Sequence, residues 1–200
     1  MSKIFSPTRD RDVRALVLAK VLSEHVADPD VRVVEELGIE HGICRVDIAV
    51  INGFIHGYEL KSDADTLLRL PAQVEAYGRS LDRSTLVVGA VHLAKAEKLL
   101  PDWWGIKVVV RGPRGALKIE THRSVLMNPD PSPFHMCHLL WKDEVITLLT
   151  SAGVASKELR KSRKVLYELL VEAYSPTDLK RAIRATLKSR ENWRPRAPLQ

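Results

Sequence analysis

Cysteine is nearly absent. Cys44 and Cys137 are the only two, far apart and with no second Cys or His pair at zinc spacing. That excludes a disulfide framework and a thiolate zinc site, and both thiols are expected free and reduced, as in a cytoplasmic protein. Long apolar runs are missing too: none approaches the about 18 residues of a membrane span. Met1 to Pro7 holds no apolar segment of a secretory signal, so neither secretion nor a membrane partner is expected. There is no internal repeat. What remains is ordinary globular material, 45% hydrophobic and 28% charged over 200 residues. Such a chain suits one sizeable domain, or a domain with an appendage, and can bury a substantial core.

Charge is unevenly placed. Residues 151–200 carry twelve Lys/Arg against five Asp/Glu, hence +7, while residues 1–150 carry nineteen against twenty, hence −1. The whole formal excess of +6 therefore comes from the last quarter. A basic segment of this kind fits a phosphate backbone as partner; a solvated helical tail is the alternative.

The most informative stretch is 45–61. Asn52-Gly53 is a strong hairpin signal between two alternating segments. Val46, Ile48 and Val50 are apolar in the first, Tyr58 and Leu60 in the second. Side chains alternate faces along a strand, so Asp47, Glu59 and Lys61 share the opposite face if both core faces lie together. A two-residue loop would pair 51 with 54 and separate Asp47 from Glu59. A three- or five-residue loop, or a bulge at Gly57, is therefore expected. Two carboxylates and a lysine so placed suit Mg²⁺, or Mn²⁺, with the lysine directed at a metal-bound water or a phosphate. The alternative is a solvated strand face with one ion pair.

The rest of the chain frames this hairpin. Asp10 to Val13 leads into Leu16, Val17, Ala19, Val21, Leu22 and Val26, spaced for a helix of about four turns. Val31 to Leu37 reads as a strand. Pro71 starts a helix that sets Gln73 and Tyr77 on one face. Thr85–Val91 and Ile106–Val110 are continuous apolar runs and read as buried strands; Leu117–Glu120 reads as an edge strand. His41, His56 and His92 are weighed as ligands against ordinary hydrogen-bonded histidines. Trp103 and Trp104 are weighed as base-stacking residues against packing of a turn. The prolines of 128–134 read as a stiff linker. Three helices follow, seeded by Leu139 to Leu149, Val165 to Ala173 and Leu179 to Leu187. The expected division is a core at 1–127, a linker at 128–134 and a basic helical appendage at 135–200. In the last helix Lys180, Arg184 and Lys188 form a four-residue ladder with Arg181 alongside. Like charges at that spacing repel, and phosphates would offset the repulsion.

Asp47, Glu59-Leu60-Lys61 and Gln73-x-x-x-Tyr77 together resemble the PD-(D/E)XK, or restriction-endonuclease-like, nuclease superfamily, the last motif its RecB-like and Cas4-like branches. Gly57 to Asp63, with Asp65-Thr66-Leu67 and Arg69-Leu70, is similar to a bacterial family of that superfamily. Val46 stands where the first motif often has proline. The resemblance implies an α/β fold with a restriction-endonuclease-like core, ordered α-β-β-β-α-β-α-β around a mixed sheet. It implies a Mg²⁺-dependent nuclease acting on DNA in preference to RNA. Asp47, Glu59 and the Leu60 carbonyl would hold the metal, Lys61 would position or activate water, and Gln73 and Tyr77 would orient Lys61 or a phosphate. Glu36 is the preferred additional acidic ligand, with Glu24 and Glu35 as alternatives. Lys180, Arg181, Arg184 and Lys188 would hold the nucleic-acid backbone, and a homo-oligomer is compatible with the pattern. The alternative on the same fold is a nucleic-acid-binding or scaffold protein that does not cut. The first two appendage helices, with Ser151-Ala152-Gly153-Val154 between them, resemble a helix-extension-helix DNA-binding module; packing on the core is the other reading.

Overall fold

The computed structural model describes residues 6–25, 28–191 and 193. Expectations that fall on Met1 to Phe5 and on Val26 lie outside those residues. The chain is α/β, built on one mixed sheet of six strands in the order β1-β2-β3-β4-β5-β6. Helix α1 (Asp10–His25) precedes strands β1 (Arg32–Ile39), β2 (Cys44–Ile51) and β3 (Ile55–Lys61). Helix α2 (Leu70–Ser80), β4 (Arg83–Gly89), the short α3 (Leu93–Glu97), β5 (Gly105–Arg111) and β6 (Leu117–Arg123) follow. The first three strands are antiparallel neighbours, β3, β4 and β5 run parallel, and β6 closes the far edge antiparallel.

Strand alternation divides the core between two faces. Ile48, Val50, Tyr58, Leu60, Val87 and Val109 meet Val13 and Val17 of α1 on one side. Ala49, Ile51, Ile55, Leu86, Val88 and Ile106 belong to the larger cluster on the other, with α2 and the C-terminal helices. β4 contributes to both, which is why its sequence is continuously apolar rather than alternating.

The hairpin has a three-residue loop. Ile51 pairs with Ile55 and Ile48 with Tyr58, so odd positions oppose odd ones. Phe54 N–H donates to Asn52 Oδ1 at 2.9 Å, and Asn52 N–H to the Phe54 carbonyl at 3.0 Å, closing the loop. Gly57 is no bulge. It pairs regularly with Ala49, and its lack of a side chain serves close packing: a Cβ there would lie 2.6 Å from Leu81 Cδ1 and 3.0 Å from Val46 Cγ1.

Beyond β6 the chain returns to the sheet. Asn128 Nδ2 donates to the Gly78 and Leu81 carbonyls at 2.7 and 2.8 Å, and Ser132 N–H to the Arg79 carbonyl at 3.0 Å. Ser132 then begins the short helix α4 (Pro133–Met136). Helices α5 (Lys142–Ser151), α6 (Arg163–Ala173) and α7 (Pro176–Ser189) complete the chain. The single helix expected to hold both Leu139 and Leu149 is broken at Trp141, whose backbone is extended. There Glu144 Oε2 accepts the Trp141 N–H at 2.7 Å, which starts α5 afresh. Leu139, Val145, Leu149, Leu166, Leu170, Leu179, Ile183 and Leu187 join the same cluster as the sheet residues, so these helices and the sheet share one core.

Candidate functional site

The expected polar residues gather where β2 and β3 part. Their last pair is Ile48 and Tyr58. Beyond it, Leu60 N–H donates to Asp47 Oδ2 at 2.8 Å, the side chain taking over from the ladder. Glu59, on the face covered by α2, is 1% exposed. Its Oε1 accepts from Lys61 Nζ and from Gln73 Nε2, the latter at 2.6 Å, and its Oε2 from the Tyr77 hydroxyl at 2.5 Å. Gln73 and Tyr77 reach it together because they sit one helical turn apart. Trp104 stacks on Tyr77 at 5.4 Å and is wholly buried, so it serves the core rather than a base.

The residue that sequence reasoning missed is Arg14. Its side chain is 9% exposed, and its guanidinium lies among four acids. Nη2 is 3.0 Å from Asp47 Oδ1 and 3.2 Å from Glu36 Oε1, Nη1 is 3.6 Å from Glu35 Oε2, and Nε donates to Asp10 Oδ2 at 3.3 Å. Nη1 also donates to the Asp47 carbonyl at 3.2 Å. Glu36 stands at φ 55°, a left-handed conformation uncommon outside glycine. Glu24 lies elsewhere on α1, paired with Lys20 at 3.7 Å. The one available hint was Arg14 beside Val13 and a turn from Asp10, a charge next to a helix's buried stripe.

Electrostatics follow from this closure. Burial raises the Asp47 carboxyl above its usual range, with the Leu60 N–H and Arg14 opposing. Burial, reinforced by the Asp47 charge, pushes Glu59 up to about 7, with Lys61 and Tyr77 opposing. Burial and then Glu59 drive the Tyr77 hydroxyl well above its ordinary value. Burial works against the Arg14 charge, but Asp47, Asp10 and Glu36 outweigh it and its pKa is raised.

The donor set does not suit a metal ion. Each carboxylate oxygen of Asp47 and Glu59 already accepts a hydrogen bond from a protein group. A guanidinium stands where a divalent cation would neutralise Asp47 and Glu36. Among the described residues no group of three or more His, Cys, Asp or Glu is arranged to hold a metal. His56 is a half-buried histidine: Thr85 Oγ1 lies 2.9 Å from its Nε2, and burial lowers its pKa to about 3. His41 stacks on His138 at 4.3 Å.

The basic ladder on α7 is turned inward. Arg184 Nη1 is 3.3 Å and Lys180 Nζ 4.0 Å from the buried carboxylate of Asp82, and Lys188 pairs with Asp30. Arg181 pairs with Asp178 of its own helix at 2.8 Å. Acids distant in sequence thus relieve the repulsion for which phosphates were invoked. The described residues keep a different cationic stretch at the surface. Lys157, Arg160, Lys161, Arg163 and Lys164 are all exposed, just before and at the start of α6. Among the described residues no helix is long and apolar enough to cross a membrane.

A family model described as Bacteriophage P4 protein cII matches residues 6–196. Protein cII of Enterobacteria phage P4 is 23% identical over 162 residues, which is 80% of this chain and 60% of that protein. The chain therefore spans 60% of the length of the curated relative it matches. No solved structure matches. These findings overturn the PD-(D/E)XK nuclease assignment, and with it the expectation of a Mg²⁺-dependent nuclease or any hydrolase, which rested on that resemblance. The motifs misled for a physical reason. Asp47, Glu59-x-Lys61 and Gln73-x-x-x-Tyr77 do converge, but as a closed network of ion pairs and hydrogen bonds completed by Arg14. Matched over all but its first five and last four residues, the chain belongs to the bacteriophage P4 protein cII family.

Proposed function

We propose that this chain is a nucleic-acid-binding protein that does not cut, with duplex DNA favoured over RNA. The sheet, whose element order through β5 is that of a restriction-endonuclease-like core, serves as scaffold for residues 1–127. The helices of 135–200, joined through 128–134, carry the binding surface. Arg14 takes the place of a metal and holds the acidic cluster together. The protein acts in the cytoplasm, where Cys44 and Cys137 remain thiols.

The observation that carries this reading is the charge of +7 confined to residues 151–200 beside a first three-quarters at −1. A cationic segment on a rigid scaffold binds a polyanion largely through counterion release, so its affinity falls steeply with salt. The test is fluorescence anisotropy with labelled duplex DNA, single-stranded DNA and RNA over a salt series, in Mg²⁺ and in EDTA. The expected result is tightest binding to the duplex, loss of affinity with salt, affinity no higher in Mg²⁺ than in EDTA because Mg²⁺ competes for the phosphates, and full-length probe recovered throughout. Absence of binding to all three probes at low salt refutes the reading.

A further inference from the structure

We infer that the exposed cations of 157–164, at the entry to α6, are the surface that grips the phosphate backbone of duplex DNA. This rests on the reading of the chain as a nucleic-acid-binding protein and locates its contact.

Of the Lys and Arg described in the last quarter, Lys180, Arg184 and Lys188 are held by Asp82 and Asp30. Arg190 is bound by Glu144 at 2.6 Å and lies between the rings of Trp141 and Trp193. Arg181 is paired within its helix. Residues 157–164, by contrast, hold five cations and one acid, Glu158, which pairs with Lys161. The side chains of Lys157, Arg160 and Arg163 make no ion pair or hydrogen bond among the described residues. Lys164 has only Glu168 at 3.9 Å, with its side chain 78% exposed.

Arg163 and Lys164 open a helix of eleven residues, at the end where the backbone dipole is positive. No acid lies in that first turn, and the side chain of Ser162 makes no capping bond. The other long C-terminal helices are built the ordinary way, with Asp143 and Glu144 opening α5 and Asp178 opening α7. Cations there raise the energy of the isolated protein, and an anion brought to the same place lowers it.

The chemistry of the surface selects the partner. No exposed apolar side chain lies in 157–164, and Leu159 is half-buried. A protein-protein interface core wants apolar and aromatic anchors and is depleted in lysine, and a membrane-lying helix needs an apolar face to insert. Cations without apolar company suit sequence-independent contact with phosphates.

The closing experiment uses the full chain with Lys157, Arg160, Arg163 and Lys164 all changed to Gln, and a milder Arg163→Gln/Lys164→Gln variant. All four side chains are exposed, so far-ultraviolet circular dichroism should match the parent, and the denaturant midpoint should stay level or rise slightly as the cations leave the helix N-terminus. Each duplex phosphate released contributes about 0.9 to the slope of log K against log salt, so the quadruple variant should flatten it by up to about 3.6 and the double variant by up to about 1.8. If the parent binds duplex DNA and both variants keep its slope, the surface is elsewhere and this inference fails while the functional reading stands. If the parent binds no nucleic acid, both fail. Loss in the variants of binding to anionic lipid vesicles, with no duplex binding by the parent, would assign the cations to a membrane and overturn the inference.

Discussion

Arg14 and Glu59 are opposite solutions to burying charge. Arg14 keeps its charge by sitting among acids, and removing it leaves Asp47, Glu35, Glu36 and Asp10 facing one another. Breaking a buried pair costs about 3–5 kcal/mol; because these acids are partly exposed, Arg14→Ala should lose about 2–4 kcal/mol, read from the urea midpoint. Mg²⁺ should recover part of that loss in the variant and leave the parent's midpoint unmoved. A parent stabilised by Mg²⁺ would refute the assignment of Arg14 as resident cation. Glu59 instead is drawn toward its neutral form, its pKa raised from 4.5 to about 7 by burial and then by Asp47, with Lys61 and Tyr77 opposing. Between those values the folded chain keeps a proton that the unfolded chain releases. Its contribution to stability is therefore greatest at low pH and falls as pH rises through that window, by at most about 1.4 kcal/mol per pH unit. His56 and His138, lowered by burial, act in the opposite sense, so the quantity to measure is the difference between parent and Glu59→Gln. That difference should fall with rising pH from about 5 to about 7 and flatten above. A difference independent of pH would show Glu59 ionised throughout.

At the scale of elements, α7 shows how a helix that repels itself can be held. Leu179, Ile183 and Leu187 enter the core, and the flanking ladder closes on Asp82, a residue 1% exposed that also accepts Ile55 N–H at 2.9 Å. Asp82→Ala would leave that N–H without its acceptor and two cations without their acid. A loss of about 3 kcal/mol or more is expected, with faster amide exchange confined to α7 and the β3 entry. Unchanged exchange in α7 would mean its apolar stripe alone docks it. The quadruple change at 157–164 should not lower stability, so the two sets of basic residues separate by what they alter.

For the molecule as a whole, what was legible in the sequence was whatever has a local period. The hairpin and its odd loop showed in Asn52-Gly53 with alternating neighbours, but the alternation fails at Val46, which joins Ala49 and Ile51 in the larger cluster while Ile48 and Val50 lie under α1. The buried strands β4 and β5 showed as unbroken apolar runs, and the convergence of Gln73 and Tyr77 on one face as a spacing of four. What was illegible depends on atoms brought together from afar. Arg14 reaches Asp47 across 33 positions, Arg184 reaches Asp82 across 102 and Lys188 reaches Asp30 across 158. A motif states which side chains converge, but not which donors occupy their lone pairs. That is why three correctly placed motifs suggested chemistry that the completed network does not offer.

The three-residue hairpin loop bears on how this family can vary. Exposed loop tips are ordinarily where insertions and deletions are best tolerated. Here Ile51 and Ile55 feed the larger core while Val50 feeds the one under α1. Losing one residue at the tip would force the two strands to exchange faces relative to each other, sending one strand's contents into the wrong core. Changes of two residues preserve every assignment. Length variation at this tip among relatives should therefore come in even steps, a grammatical rule imposed on insertions by a sheet buried on both sides.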